Sequence, residues 1–322
     1  MLKIKEKIPL KEYTTFKIGG PARYFFVAEN KEDLKNAILW AKKKKLPFFI
    51  LGGGSNILFS DNGFNGLVIK LQNAQYEIRN TKIIAEAGVP LQKLVLESAK
   101  KGLSGLENLA GIPGTVGGAI WGNAGAFGRE IGNLVEKVKV LDVGSSKLEV
   151  KRLKNKDCKF GYRDSIFKRK KNLIILEATL KLKRGKRKEI EEKIMEILRL
   201  RKEKQPLEFP SAGSVFKNVP IEKVSKRIRE KFKEKIKDGF LPTGVLIDAA
   251  GLKGFQIGGA KISEKHANFI LNVGNAKASD VKELMEKIKK EVKKKFKIQL
   301  EEEIKLVGFK PIQRENNFSF LS

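Results

Sequence analysis

The stretch "GLSGLENLAGIPGTVGGAIWGNAGAFGREIG", Gly102–Gly132, places ten of the chain's thirty glycines within thirty-one residues. Gly102, Gly105, Gly111, Gly114 and Gly117 keep a period of three, but Gly118, Gly122 and a single proline break it, so this is no collagen repeat. Nor is it a solvated linker, because Leu103, Leu106, Leu109, Ile112, Val116, Ile120, Trp121 and Phe127 are too apolar for one. Two readings remain. The glycines serve tight structural turns, or they form a packed loop whose bare backbone closes on another segment or on a flat, phosphate-bearing ligand.

Upstream, "LGGGSNILFSD" sets Gly52, Gly53 and Gly54, then Ser55 and Asn56, directly after the buried-strand pattern "PFFIL". Successive backbone N–H groups at such a turn make an anion-binding concavity suited to a pyrophosphate. A plain strand turn fits equally well. The stretch is neither a Walker loop, since no lysine follows, nor a dinucleotide fingerprint of spaced glycines opening a helix.

Around these two stretches the periodicities divide the chain into residues 1–58, 59–206 and 207–308, with an aperiodic tail at 309–322. The first unit reads as strand, helix, strand, the helix carrying Leu34, Ala37, Ile38 and Ala41 at helical spacing. The second holds the strand candidates "LVIKL", "KIIAEAG", "VEKVKVLDV" and "LIILEATLKLK" and a helix opened by Pro90. A long helix with Ile190, Ile194, Ile197 and Leu198 on one stripe closes it before Pro206. The third mixes helices with the strands "HANFILNVG" and "IQLEEEIKLVG" and reads as a separate α+β domain. Within it the basic insert "IEKVSKRIREKFKEKIKDGF", residues 221–240, is expected to be helical.

Composition narrows the chemistry. One cysteine, Cys158, excludes an internal disulfide and a multi-cysteine metal site, and one histidine, His266, excludes a histidine cluster; no metal is expected. The start "MLKIKEKIPLKEYTTF" has no apolar signal-peptide core and no eighteen-residue apolar run follows, so we expect a cytoplasmic protein without membrane insertion. The formal charge of +30 raises a nucleic-acid-binding alternative. Against it, the lysines follow amphipathic helix faces and no zinc-finger or RNP-type spacing occurs.

"TTFKIGGPA", "GGGSNIL", "GLENLAGIPGTVGGAIWGNAGAFG", "FGYRDS", "SAGSVFKN", "GGAKISEKHANFILN" and "LEEEIKLVG", in this order between Tyr13 and Gly308, resemble the UDP-N-acetylenolpyruvoylglucosamine reductase family. The resemblance implies an α+β fold: a vanillyl-alcohol-oxidase/PCMH-type FAD-binding fold of two subdomains plus a C-terminal α+β substrate domain. It implies a ping-pong reductase that takes hydride from NADPH and uses noncovalently bound FAD to reduce UDP-N-acetylglucosamine enolpyruvate to UDP-N-acetylmuramate for peptidoglycan. The expected partners are small molecules alone, with no nucleic acid, and the expected state is a monomer. A different flavin oxidoreductase of the same fold is the alternative enzyme.

On that resemblance Gly52, Gly53, Gly54, Ser55 and Asn56 cradle the FAD pyrophosphate. Gly111, Ile112, Pro113, Gly114, Thr115, Gly118, Asn123, Ala124 and Gly125 wrap the rest of the cofactor, the glycines keeping Cβ atoms out of its way. A positive φ at Gly53 is part of this expectation. Arg163 stabilises the charge that develops on the substrate, with Tyr162 beside it. Ser214 delivers a proton, although a serine there serves equally as a helix cap. Glu303 shares a strand face with Glu301 and Lys305, away from Leu300, Ile304 and Leu306, and solvent exposure explains that face as well. Lys204 and Asn218 are expected to contact the substrate's phosphates or carboxylate. His266 is expected to anchor a loop and Cys158 to pack. No tyrosine follows the "FGYRDS" block, which assigns the chain to the family type without a substrate-covering tyrosine loop.

Overall fold

A computed structural model describes residues 2–144 and 147–309. The expected tail therefore lies outside the described residues, apart from Phe309.

The first sheet runs Lys5–Pro9, Pro21–Ala28, Phe64–Leu71, Phe48–Leu51. Its first pair is antiparallel and the other two are parallel. The helix Lys31–Lys43 makes the crossover, with Asn30 accepting the Asp33 N–H at 2.9 Å as its cap and Leu34, Ala37, Ile38 and Ala41 turned inward. A second sheet, all antiparallel, runs Glu149–Lys154, Val135–Asp142, Leu173–Lys181, Lys82–Glu86, Tyr76–Arg79. Ile38, Leu67 and Ile69 of the first unit join Ile83, Leu94, Val138, Leu180 and Ile194 of the second in one core.

The third unit is an antiparallel sheet, Ser211–Ser214, Phe269–Asn272, Ala260–Ile262, Gln256–Ile257, backed by the helix Ala278–Phe296. Its core takes in Phe16, Ile18 and Leu58 from the first unit. Each such buried side chain is worth about 1.5–3 kcal/mol relative to exposure, so this shared patch docks the unit firmly. A last strand, Lys305–Val307, leaves the third unit and pairs in parallel with Ile57–Phe59 of the first. Among the described residues no helix is long and apolar enough to cross a membrane.

Four expectations need correction. The strand containing "LVIKL" belongs to the first sheet, between two parallel neighbours, as its unbroken buried run Leu67, Val68, Ile69 suits. Sheet membership thus argues for a division near residues 72–75 rather than at 58/59. The insert is not one helix. Only Lys226–Lys231 is α-helical, with 3₁₀ turns on either side. Its apolar residues Val224, Ile228, Phe232 and Ile236 repeat every four, which drifts by about 40° per step on an α-helix; breaking the helix keeps all four on the domain. "IQLEEEIKLVG" is a strand only over Lys305–Val307, because the segment before it crosses between units and bonds to Val215–Lys217. Leu198, placed on the buried stripe, is 39% exposed, and Arg201, one turn on, is buried instead.

Candidate active site

The three units enclose a cleft of about 1860 Å³. A drug-sized ligand needs ~300–1,000 Å³, so there is room for two such molecules. Of the residues singled out from sequence, Gly52–Asn56, Gly111–Thr115, Gly118, Ala124, Gly125, Tyr162, Arg163, Lys204, Ser214, Asn218 and Glu303 all line it. Asn123 does not. It is buried in the left-handed conformation, donating to Glu130 and to the Gly161 carbonyl and accepting from the Gly132 N–H, and so holds the loop together from beneath.

The two glycine loops lie against each other along one wall. A Cβ on Gly53 would stand 2.5 Å from Gly114 Cα, one on Gly52 would stand 2.7 Å from Thr115 Oγ1, and Ser55 Oγ donates to the Pro113 carbonyl at 3.0 Å. Gly54, not Gly53, has the positive φ, +65°, and its added Cβ would strike the Tyr13 carbonyl. Bare backbone is therefore needed first so that loop can pack on loop. Gly118 and Gly122 differ: nothing of the protein comes closer than 3.6 Å to a Cβ at either, so their open side is the cleft.

This wall fits a bound pyrophosphate cofactor. Among the described residues none accepts a hydrogen bond from the backbone N–H of Gly53, Gly54, Ser55 or Asn56, which leaves four adjacent donors for an anion. Lys70 donates to the Gly52 carbonyl and fixes the turn, and burial lowers its pKa. Arg201, only 7% exposed, donates through Nε to the Ala110 carbonyl at 2.6 Å, while its buried Nη2 has no partner among the described residues. A buried guanidinium with a spare donor on the cleft wall calls for an acceptor from a ligand. Sequence reasoning missed Arg201 because it sits in the basic run Arg199–Lys204, although it continues the Ile190, Ile194, Ile197 stripe at helical spacing.

The titratable groups adjoin this wall, with Arg163 bonded to Gly125 and the Glu303 carbonyl accepting from Asn56 Nδ2 at 3.1 Å. Tyr162 and Arg163 occupy a tight turn closed by reciprocal Gly161–Asp164 bonds of 3.0 Å. Arg163 has φ +52°, a conformation that costs a non-glycine residue about 1–2 kcal/mol. Four contacts hold it there, besides the Glu130 carboxylate 3.7 Å from Nη1. Nε donates to Glu303 Oε1 at 2.8 Å, Nη2 donates to the Gly125 carbonyl at 2.7 Å, the guanidinium lies 5.2 Å over the Tyr162 ring, and Lys168 Nζ donates to the Arg163 carbonyl at 2.7 Å. Lys168 also sits 4.7 Å over Trp121, and burial lowers its pKa, with Lys217 adding to the effect.

Three consecutive glutamates take three different cations. Glu301 pairs with Lys217 at the surface, Glu302 with Lys289 at 2.5 Å, and Glu303 with Arg163. Glu303 is 16% exposed, and burial pushes its pKa up against the pull of Arg163, so it is no solvated side chain. Its N–H donates to the Val215 carbonyl at 2.8 Å, which sets it beside Ser214. Ser214 is no helix cap: it ends the strand Ser211–Ser214, after Gly213 at φ +75°, and its hydroxyl has no protein partner among the described residues. Asn218 donates its N–H to Tyr162 Oη at 3.2 Å and accepts from the Thr243 N–H. His266 lines the cleft with its Nδ1 accepting from the Asn268 N–H, and burial lowers its pKa.

A glycine-walled anion cradle bordered by an arginine–carboxylate pair suits an FAD-dependent oxidoreductase, and residues 22–150 match the family described as "FAD binding domain". Residues 205–307 match "UDP-N-acetylenolpyruvoylglucosamine reductase, C-terminal domain". The UDP-N-acetylenolpyruvoylglucosamine reductase of Caldanaerobacter subterraneus is 46% identical over 303 residues, covering 94% of this chain and 93% of its own length. That of Clostridium botulinum is 39% identical over 310 residues, 96% and 92% of the two chains. The crystal structure of the Thermus caldophilus enzyme superposes with a TM-score of 0.77 at 35% identity, covering 95% of this chain and all of the other. The chain belongs to the UDP-N-acetylenolpyruvoylglucosamine reductase family and has its vanillyl-alcohol-oxidase/PCMH-type FAD-binding fold.

Proposed function

We propose that the protein reduces the enolpyruvyl double bond of UDP-N-acetylglucosamine enolpyruvate to give UDP-N-acetylmuramate, with NADPH as donor, in peptidoglycan precursor synthesis. The observation that carries this reading is the Arg163–Glu303 pair, bonded to Gly125 and Asn56 of the glycine cradle, in a cleft that the unpartnered Ser214 hydroxyl also lines. When bound, FAD supplies two-electron transfer from NADPH to the enolpyruvyl carbon.

The chain's own residues do the rest. The amides of Gly53–Asn56 hold the cofactor's pyrophosphate, and Gly111–Thr115, Gly118, Ala124, Gly125 and Arg201 hold its remainder. Arg163, oriented before substrate arrives, faces the negative charge that spreads into the substrate carboxylate, and its half-buried setting strengthens that attraction. Glu303 fixes the guanidinium. Ser214 gives the proton to the substrate carbanion, in a cleft whose lining also carries the cations Arg163 and Lys168. Lys204 and Asn218 contact the substrate's charged groups. The enzyme works as a cytoplasmic monomer with no nucleic-acid partner, and its positive charge is a property of solvated helix faces.

Purified protein should be yellow, and acid precipitation should release all the colour as FAD. NADPH should bleach the flavin without oxygen, and the enolpyruvyl substrate should restore its absorbance. A colourless protein that binds RNA with a steep salt dependence would refute the proposal.

A further inference from the structure

The insert 221–240 reaches Tyr162, the ring that lies beneath Arg163. Asp238 and Gly239 both have positive φ, 49° and 79°, and Lys237 and Phe240 exchange backbone bonds of 3.0 and 2.8 Å, which makes "KDGF" a tight two-residue hairpin. Phe240 and Leu241 pair with Pro220 and Val219, and the Ile221 N–H donates to the Gly239 carbonyl at 2.9 Å, so the hairpin is also pinned to the start of the insert. Val224 and Ile228 bury in the third unit's core, and Phe232 packs edge-on to Phe296 at 5.9 Å. The insert is a folded clip. Its end presents Lys237, Asp238 and Phe240 to the cleft.

Phe240 lies on the Tyr162 ring with centroids 4.2 Å apart. Tyr162 accepts the Asn218 N–H through Oη, and its ring carries the Arg163 guanidinium at 5.2 Å. Arg163 holds an uphill backbone conformation, so each contact that limits its alternatives matters to where the guanidinium points. We propose that the insert is a clamp that positions Arg163 through Phe240 and Tyr162. Phe240 is thus a positioning residue for the substrate half of the reaction. This rests on the reading above, in which Arg163 meets the substrate.

The FAD-loaded enzyme tests this by stopped-flow, with bleaching by NADPH and reoxidation by the enolpyruvyl substrate followed separately. An aromatic pair is worth enough to give Phe240→Ala and Phe240→Leu a limiting reoxidation rate lower by about 3–10-fold, with bleaching within about twofold of wild type. Phe240→Tyr, which keeps the ring, should restore reoxidation. In an Arg163→Ala background, Phe240→Leu should cause no further loss, because the two residues act in series. Wild-type reoxidation by Phe240→Leu, additive losses with Arg163→Ala, equal losses in both half-reactions, or no rescue by Phe240→Tyr would each overturn the clamp. Failure of the wild type to be reoxidised by this substrate would instead bring down the function itself, and the clamp with it.

Discussion

Gly53→Ala and Gly118→Ala separate two reasons for glycine that the sequence merges. At Gly53 the new Cβ meets Gly114 Cα at 2.5 Å, where ordinary contact begins at 3.4 Å, so the two loops must part by about 0.9 Å. The obstacle is backbone on both sides, which no rotamer change relieves. Overpacking of this kind costs ~1–3 kcal/mol, and at roughly 2 °C per kcal/mol for a chain of this size Tm should fall by ~2–6 °C. FAD affinity should fall too, because the parted loops carry the four free amides. At Gly118 the Cβ meets only Thr115 Oγ1 at 3.6 Å, and within the helix Val116–Gly122 alanine is better than glycine by up to ~1 kcal/mol. Its Tm without cofactor should hold or rise, while FAD, which shares that space, should bind more weakly. Differential scanning fluorimetry of FAD-stripped protein and titration of FAD by flavin fluorescence measure both quantities. The reasoning is refuted if stripped Gly53→Ala melts with the wild type and takes up FAD as tightly.

Ser214→Ala should bleach with NADPH at a near-normal rate yet reoxidise ~10²–10⁴-fold more slowly, as expected for loss of a positioned acid; a defect in bleaching would point to a structural serine. For Glu303 the native pKa is raised from 4.5 by burial, so its stabilising share is complete below the ordinary carboxyl range and is lost as pH rises through the raised value. The Tm of Glu303→Gln relative to wild type should therefore climb from pH 4.5 to 7, and a flat difference would contradict this. Replacing Lys231, Lys233 and Lys235, all exposed on the insert, with glutamine should leave turnover within about threefold, since exposed charges screen over ~10 Å. Cys158 is buried and its thiol pKa is pushed up to about 12, so native protein at pH 8 should resist a thiol reagent that labels the urea-unfolded chain at once.

How far the sequence could be read depended on distance along the chain. The glycine loops were legible as close-approach backbone, but the partner of each loop was not. That Gly53 abuts Gly114 is a contact across about sixty residues, which no local pattern carries. Alternation put Glu301 and Glu303 on one face, yet only the fold separates them, by offering Lys217 to one and Arg163 to the other. Arg201 was hidden among exposed-looking basic residues because burial of a guanidinium depends on what packs over the helix. The strand Phe64–Leu71 was assigned to the wrong unit by its nearness in sequence to "KIIAEAG", although its doubly buried run is what a central parallel strand requires. In the insert, Asp238-Gly239 is a sound hairpin signal that the four-residue apolar repeat masks.

The parallel ladder between Ile57–Phe59 and Lys305–Val307 also sets an order of events at the ribosome. Ile57 is synthesised about 250 residues before its partner, an interval of roughly 10–50 s at ~5–20 residues per second. Throughout that time Leu58 and Phe59, both fully buried in the finished protein, lack the strand that flanks them. Glu303, two residues before the ladder, is made together with it. A nascent chain stalled short of Glu303 holds both glycine loops but neither the carboxylate that pairs with Arg163 nor the strand that flanks Ile57–Phe59, so the cradle exists in sequence long before the site it borders can close.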